Sequence, residues 1–227
     1  MLINGFNIQT FVCSAVAILI ALTFHELAHG YMAFSLGDPT AKMQGRLTLN
    51  PLAHLDPIGT ILLLIVGFGW AKPVPVNPLN FRGSRKKGMV LVGLAGPLMN
   101  IILAIIAALL IKLLYAFYFN GMVSSNSTVF SFFFQTFKLL MSYNIILAVF
   151  NLIPIPPLDG SKILAGLLPS DYGRYFYQFE RYGSIILMVL IVFGGIRYII
   201  LPLAIILGTC ICYLTGQAWF ADMLFKI

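Results

Sequence analysis

Charge is what this sequence has least of. Charged residues fill 9% of its 227 positions, against about 25% in soluble domains, while apolar residues fill 60%. That scarcity excludes a soluble globular protein and points to several membrane-crossing segments. Acids are fewer still, seven against fourteen Lys and Arg. The basic excess sits in loops, as expected where loops are kept on the cytosolic side by positive charge, so it requires no nucleic-acid partner. Cysteine is limited to Cys13, Cys210 and Cys212, each inside an apolar run, which excludes a disulfide framework and a Cys/His zinc finger. No basic leader precedes the first apolar run, so no cleavable signal is expected. There is no internal repeat, and the length suits one membrane domain over 1–227 without a separate soluble module.

The apolar runs set the expected fold. A first span covers Asn7 to Ser35 and stops at the turn residues Gly37-Asp38-Pro39-Thr40. Ala41 to Pro57 reads as a polar loop. Ile58 to Trp70 is too short for the ~20 residues of a spanning helix and is expected to be re-entrant. Ala71 to Asn80 carries Pro73, Pro75 and Pro78, which forbid helix and predict an extended segment with unpaired backbone groups. A basic loop from Arg82 to Lys87 leads into the longest span, Gly88 to Phe119, and Phe130 to Ile153 forms the next. Pro154 to Gly160 breaks that helix, Ser161 to Leu168 is a short helical piece, and Pro169 to Tyr182 is a polar loop. Ser184 to Leu214 is interrupted by Gly194, Gly195 and Pro202, giving either two short spans or one kinked span with a partial helix. The fold class is therefore an all-α polytopic membrane protein, with about four to six transmembrane or partial helices and a re-entrant or extended segment near the site. Its motif core is 23–162, and its C-terminal helices are 183–216. Basic residues fall between the first span and Gly88 and again after Ile153, and none lies in Asn120 to Val129. This predicts an outside N-terminus and cytosolic loops at 41–87 and 160–181, provided Ile58 to Trp70 does not cross.

The chemistry centres on Thr23-Phe24-His25-Glu26-Leu27-Ala28-His29-Gly30. Histidines at i and i+4 stand about 40° apart on one helical face, so both imidazoles can reach one metal. Zinc suits neutral imidazole and keeps an open position for water. Glu26, next to His25, is placed to act as general base on that water. Ionisable groups on a membrane-grade helix are costly in hydrocarbon and should face a protein interior or wet cavity. A third ligand is needed. Ser35 and Met32 stand where the metzincin pattern would need His and Gly, which removes that class. Glu180, the remaining late glutamate, lies in a basic polar stretch. Asp159, in Asn151-Leu-Ile-Pro154-Ile-Pro156-Pro157-Leu-Asp159-Gly160, and His54, in a Pro-flanked loop, remain as candidates. Asp159 could instead cap the helix that follows, and His54 could be a structural or cavity-lining residue.

Together with Gly96-Pro97-Leu98-Met99-Asn100, these motifs resemble the site-2 protease family of intramembrane zinc metalloproteases, in its small branch without PDZ or CBS domains. The family's HExxH, GxxxN and NxxPxPxLDG elements occur in that order between His25 and Lys162. The resemblance implies one Zn2+ per chain held by His25, His29 and Asp159, with Glu26 activating water. Asn100 and Asn151 would be donors to an oxyanion or substrate carbonyl. The helix that usually precedes the HExxH helix is missing, which leaves substrate entry open. Small-residue packing around Asn100 is the competing explanation for that residue, and Asn144 divides evenly between packing and function. The Pro-rich segment could pair with an unwound substrate through Val74, Val76 and Asn77, or could simply connect two elements.

The expected function is a zinc endopeptidase cutting within or beside a transmembrane helix of another membrane protein. Its partners are that substrate and the lipid bilayer, with no nucleic acid. Its place is the inner membrane of a prokaryotic cell, with the active site toward the cytosol. A divalent-metal transporter or a non-catalytic metal-binding membrane protein is the alternative. A transporter predicts inverted halves and a polar path through both leaflets, and intact Glu26 argues against a dead binder.

Overall fold

A computed structural model describes residues 7–59, 70–122, 124, 127–169 and 173–224, with backbone alone at 173–178. Helix α1, Ile8–Ser35, opens on Asn7, whose side chain accepts from the N–H groups of Gln9 and Thr10. It closes where Gly37 takes φ 107°. The Asp38 N–H then bonds Ala33 O and the Gly37 N–H bonds Phe34 O, a glycine-dependent C-terminal lock. A short α2, Thr40–Met43, follows. After the Pro-rich segment comes α3, Arg85–Phe119, capped by Ser84. Its 35 residues rise about 50 Å. Helix α4 is Thr128–Leu152, α5 is Asp159–Leu167, α6 is Gly173–Val192, α7 is Gly195–Leu214 and α8 is Ala218–Leu224.

Four of these, α1, α3, α4 and α7, are long and apolar enough to cross a membrane. The protein is an all-α polytopic membrane protein, and no strand occurs among the described residues. Helix α3 is the axis, packing against α1, α4 and α5. Ala104, Ala107, Ala108 and Ile111 form its buried stripe at i, i+3, i+4 and i+7, meeting Ala17 of α1, Met141 and Ile145 of α4, and Ile211 of α7. Small side chains let the backbones approach closely, which in lipid is the main source of helix association. Phe220 and Leu224 of α8 fold back into the same core.

Two expectations are corrected and one open alternative is decided. Pro169 to Tyr182 is not a polar loop throughout, because α6 begins at Gly173. Polar residues are compatible with helix wherever a helix projects beyond hydrocarbon. The run from Ser184 to Leu214 is shared by two helices divided at Gly194, whose φ is 72°. Pro202 lies inside α7 without ending it. The Pro-rich segment is extended, but its backbone is not unpaired, as described below. The proposed re-entrant piece, Ile58 to Trp70, falls at 60–69 outside the described residues.

Candidate metal centre

His25 and His29 lie on one face of α1, with the last imidazole six residues before the helix end, or about 9 Å along the axis. Their Nε2 atoms are 3.0 Å apart. Asp159, the first residue of α5, brings Oδ2 to 2.9 Å from His29 Nε2 and 3.3 Å from His25 Nε2. Asp159 does not cap its helix. Leu158 holds the cap position, and Asp159 Oδ1 instead accepts from Lys162 Nζ at 2.8 Å. The three residues are each at most 5% exposed, so water does little to solvate them.

The outer bonds fix what those atoms can do. His25 Nδ1 faces Asn100 Oδ1 at 2.6 Å, and His29 Nδ1 faces Val92 O at 2.7 Å. Both acceptors are carbonyl oxygens, so each Nδ1 carries the proton and donates it. Each Nε2 of the neutral rings then presents a lone pair to its neighbour and to Asp159 Oδ2, which has no hydrogen-bond partner. Three electron-pair donors facing one another in a buried site are costly. A proton can relieve one pair of them, whereas a cation at their centre relieves all three. The edges of a tetrahedron with zinc–ligand bonds near 2.0–2.1 Å are roughly 3.3 Å, close to the spacings found. The donor set therefore fits zinc, and a carbonyl behind each ligating histidine is the usual means of orienting it.

Helix α3 makes the approach possible at Gly96. A Cβ there would lie 2.7 Å from His25 Nε2 and closer still to His29 Nε2, so any side chain would enter the space between the imidazoles. One turn on, Asn100 reaches His25. The GxxxN spacing thus joins a gap to a hydrogen bond on one helical face. Asn100 Nδ2 donates to Asn144 Oδ1 at 2.7 Å and to Ala21 O at 3.4 Å. With both ends of the amide so engaged, it offers no N–H to a substrate carbonyl. Asn151 donates through Nδ2 to Leu147 O in its own helix.

The strap from Ala71 to Asn80 is bonded along its length. The Lys72 N–H bonds His54 O, and Leu55 and Ala71 form an antiparallel bridge. The buried Arg46 guanidinium donates to Lys72 O at 2.6 Å and Pro73 O at 3.2 Å. The Val74 N–H bonds Glu26 Oε2 at 2.8 Å, and the Asn77 N–H bonds Asp38 Oδ2 at 2.7 Å. The N–H groups of Val74 and Asn77 are therefore taken up inside the fold, and Val76 packs against the Ala33, Phe81 and Val92 cluster. Gly30 provides the seat. A Cβ there would crowd Leu47 Cδ2 at 2.6 Å and Val74 Cγ1 at 3.2 Å. Burial alone would raise the Asp38 carboxyl, but bonds from Thr40, Asn77 and Asn80 outweigh it and hold the group below the usual carboxylate value.

His54 stands apart from the three converging side chains, which are the one such group among the described residues. It is buried, and its Nε2 lies 2.8 Å from Thr48 O, an arrangement that turns a loop. Residues 38 and 46 were not singled out as site residues by sequence, and Asn144 was left evenly divided between packing and function. The sole signals were a charge in a turn, a charge in a loop and an amide in an apolar run.

The profile of peptidase family M50 matches residues 13–195. The chain is 46% identical over 188 residues to YwhC of Bacillus subtilis, covering 83% of this chain and 84% of that one. It is 30% identical over 179 residues to Rip2 of Mycolicibacterium smegmatis, covering 77% of this chain and 64% of that one. Both relatives carry provisional zinc-metalloprotease names. No solved structure matches the chain with comparable significance. A profile match across most of the length, in an integral membrane protein whose donor set suits zinc, leads to one conclusion: the chain belongs to peptidase family M50, the site-2 protease family, and is a zinc metalloprotease.

Proposed function

We propose that this metalloprotease is an intramembrane endopeptidase, hydrolysing a peptide bond within or next to a transmembrane helix of another membrane protein. In this reading His25, His29 and Asp159 hold zinc and Glu26 is the general base. The observation that carries it is the convergence of three buried ligand-type side chains, two of them on a spanning helix about two turns from its end. A site at that depth is reached by a substrate that shares the bilayer. Zinc bound there supplies a Lewis acid that polarises a carbonyl and acidifies a water.

The remaining chemistry belongs to this chain's own residues. Glu26 directly follows one ligand, and the Val74 N–H on Oε2 fixes its carboxylate in place. Oε1 is left to take a proton from water and return it to the leaving amine nitrogen. Asn151, eight positions before Asp159 at the end of α4, retains a second amide N–H after bonding Leu147 O and is the proposed donor to the developing oxyanion. The Gly96 gap and the Lys162–Asp159 bond keep the three donors in register. In this reading the site faces the cytosol of a prokaryotic inner membrane, an orientation that the excess of Lys and Arg in the loops supports.

The test is Glu26→Gln, assayed against a panel of single-span membrane proteins with zinc measured in the same preparation. Cleavage should fall by at least ~100-fold, as for loss of a general base, while zinc content stays at the wild-type level. Loss of zinc from the variant, or undiminished cleavage, would overturn the assignment of Glu26.

A further inference from the structure

Behind His25 runs a line of side-chain amides that the hydrolytic scheme does not use. Asn100 Oδ1 accepts from His25 Nδ1 at 2.6 Å. Asn100 Nδ2 donates to Asn144 Oδ1 at 2.7 Å. Asn144 Nδ2 donates to Leu140 O, in its own helix α4, at 2.8 Å. Both asparagines are fully buried, so no water can substitute for a missing partner.

The line has a direction, set by its last member together with Ala21 O, the second and longer acceptor of Asn100 Nδ2 at 3.4 Å. Leu140 O is a main-chain carbonyl and can only accept. The Asn144 amide nitrogen must therefore face it, which turns Asn144 Oδ1 toward Asn100. That orientation admits only the nitrogen of Asn100, so Asn100 Oδ1 is presented to His25. Reversing any amide would set donor against donor or acceptor against acceptor in a buried place, at a cost of about 1–3 kcal/mol. An Asn100 turned the other way would hand His25 Nδ1 a donor, move the ring proton to Nε2 and remove the lone pair that faces His29 and Asp159. His29 needs no such relay, because the backbone carbonyl of Val92 fixes it directly.

We propose that Asn144 is a positioning residue for the metal centre: acting through Asn100, it locks His25 as the Nδ1–H tautomer and so delivers Nε2 to the ion. The proposal rests on the ligand set given above. It assigns Asn100 to orienting a ligand rather than to substrate. It also gives a role to the fully buried amide of α4, which a hydroxyl at the same position would be too short to fill.

The experiment uses purified full-length protein in detergent. Zinc affinity is measured by chelator competition, and the ring tautomer by 15N NMR of zinc-free protein labelled at its three histidines. Asn144→Leu and Asn100→Leu should each weaken zinc binding by about 10- to 100-fold, the range for partners behind a ligand. The double variant should bind no more weakly than Asn100→Leu alone. Asn144→Asp should stay within about threefold of wild type, because protonated aspartate still donates to Leu140 O and accepts from Asn100. In zinc-free Asn144→Leu the His25 ring should lose its single Nδ1–H signature. Wild-type affinity in Asn144→Leu, or losses that multiply in the double variant, would overturn the relay. If the leucine variant does not fold, Asn144→Ala takes its place in every comparison. A wild-type protein that binds no zinc would refute the ligand set instead, which separates the two failures.

Discussion

At the scale of the residue, Asp159 and His54 show what sequence can and cannot resolve. Both were open as third ligand, since each is a ligand type near a proline turn. Asp159 Oδ2 sits against both imidazoles, whereas His54 lies outside the converging group with its Nε2 on Thr48 O. Asp159→Ala should reduce zinc affinity by more than ~100-fold, beyond the loss expected for an outer partner. His54→Ala should leave zinc content unchanged and lower thermal stability through the lost loop bond. Metal analysis after gel filtration distinguishes the two, and the reverse pattern would make His54 the ligand. The histidine pair was legible because its i, i+4 spacing is a local property of one helix. Asn100's task was not, because its partner is 75 positions away and an amide reads the same whether it faces a ligand or a substrate.

At the scale of the element, α3 is where sequence and structure agree in pattern and differ in meaning. Gly96 and Asn100 were visible as a small-residue motif, which in lipid suggests helix packing. The fold uses the missing side chain to admit two imidazoles. Gly96→Ala should therefore abolish zinc binding with helix content intact, measured by metal analysis beside circular dichroism. Retained zinc would show that α3 can back away. The Pro-rich strap illustrates the opposite case. Its prolines announced an extended backbone, and that is found. Its N–H groups were expected to be available, but the acceptors that consume them, Glu26 and Asp38, lie 48 and 39 positions upstream. Only folding brings them together. The start of α6 was missed for a related reason, since charge and tyrosine look like loop to a hydropathy reading while forming helix perfectly well outside hydrocarbon.

At the scale of the whole molecule, α1, α3 and α4 were legible from run length alone, whereas the run from Ser184 to Leu214 left the fourth spanning helix, α7, open. Orientation rests on the basic loops and is directly measurable. In a variant without native cysteines, Arg85→Cys should react with an impermeant maleimide only from the cytosolic side, and Met122→Cys only from outside. The opposite result for Arg85→Cys would mean that the segment before it crosses the bilayer. The order of synthesis gives the ligand set a further consequence. Both histidines enter the membrane on the first helix, and their Nδ1 protons find Val92 O and Asn100 Oδ1 as soon as α3 is inserted. Asp159 is added a full helix later. With the proposed ligand set, a nascent chain can thus shelter its imidazoles early yet remain short of a ligand until α5 has left the ribosome, so proteolytic competence waits for α5 and does not come with the first hairpin.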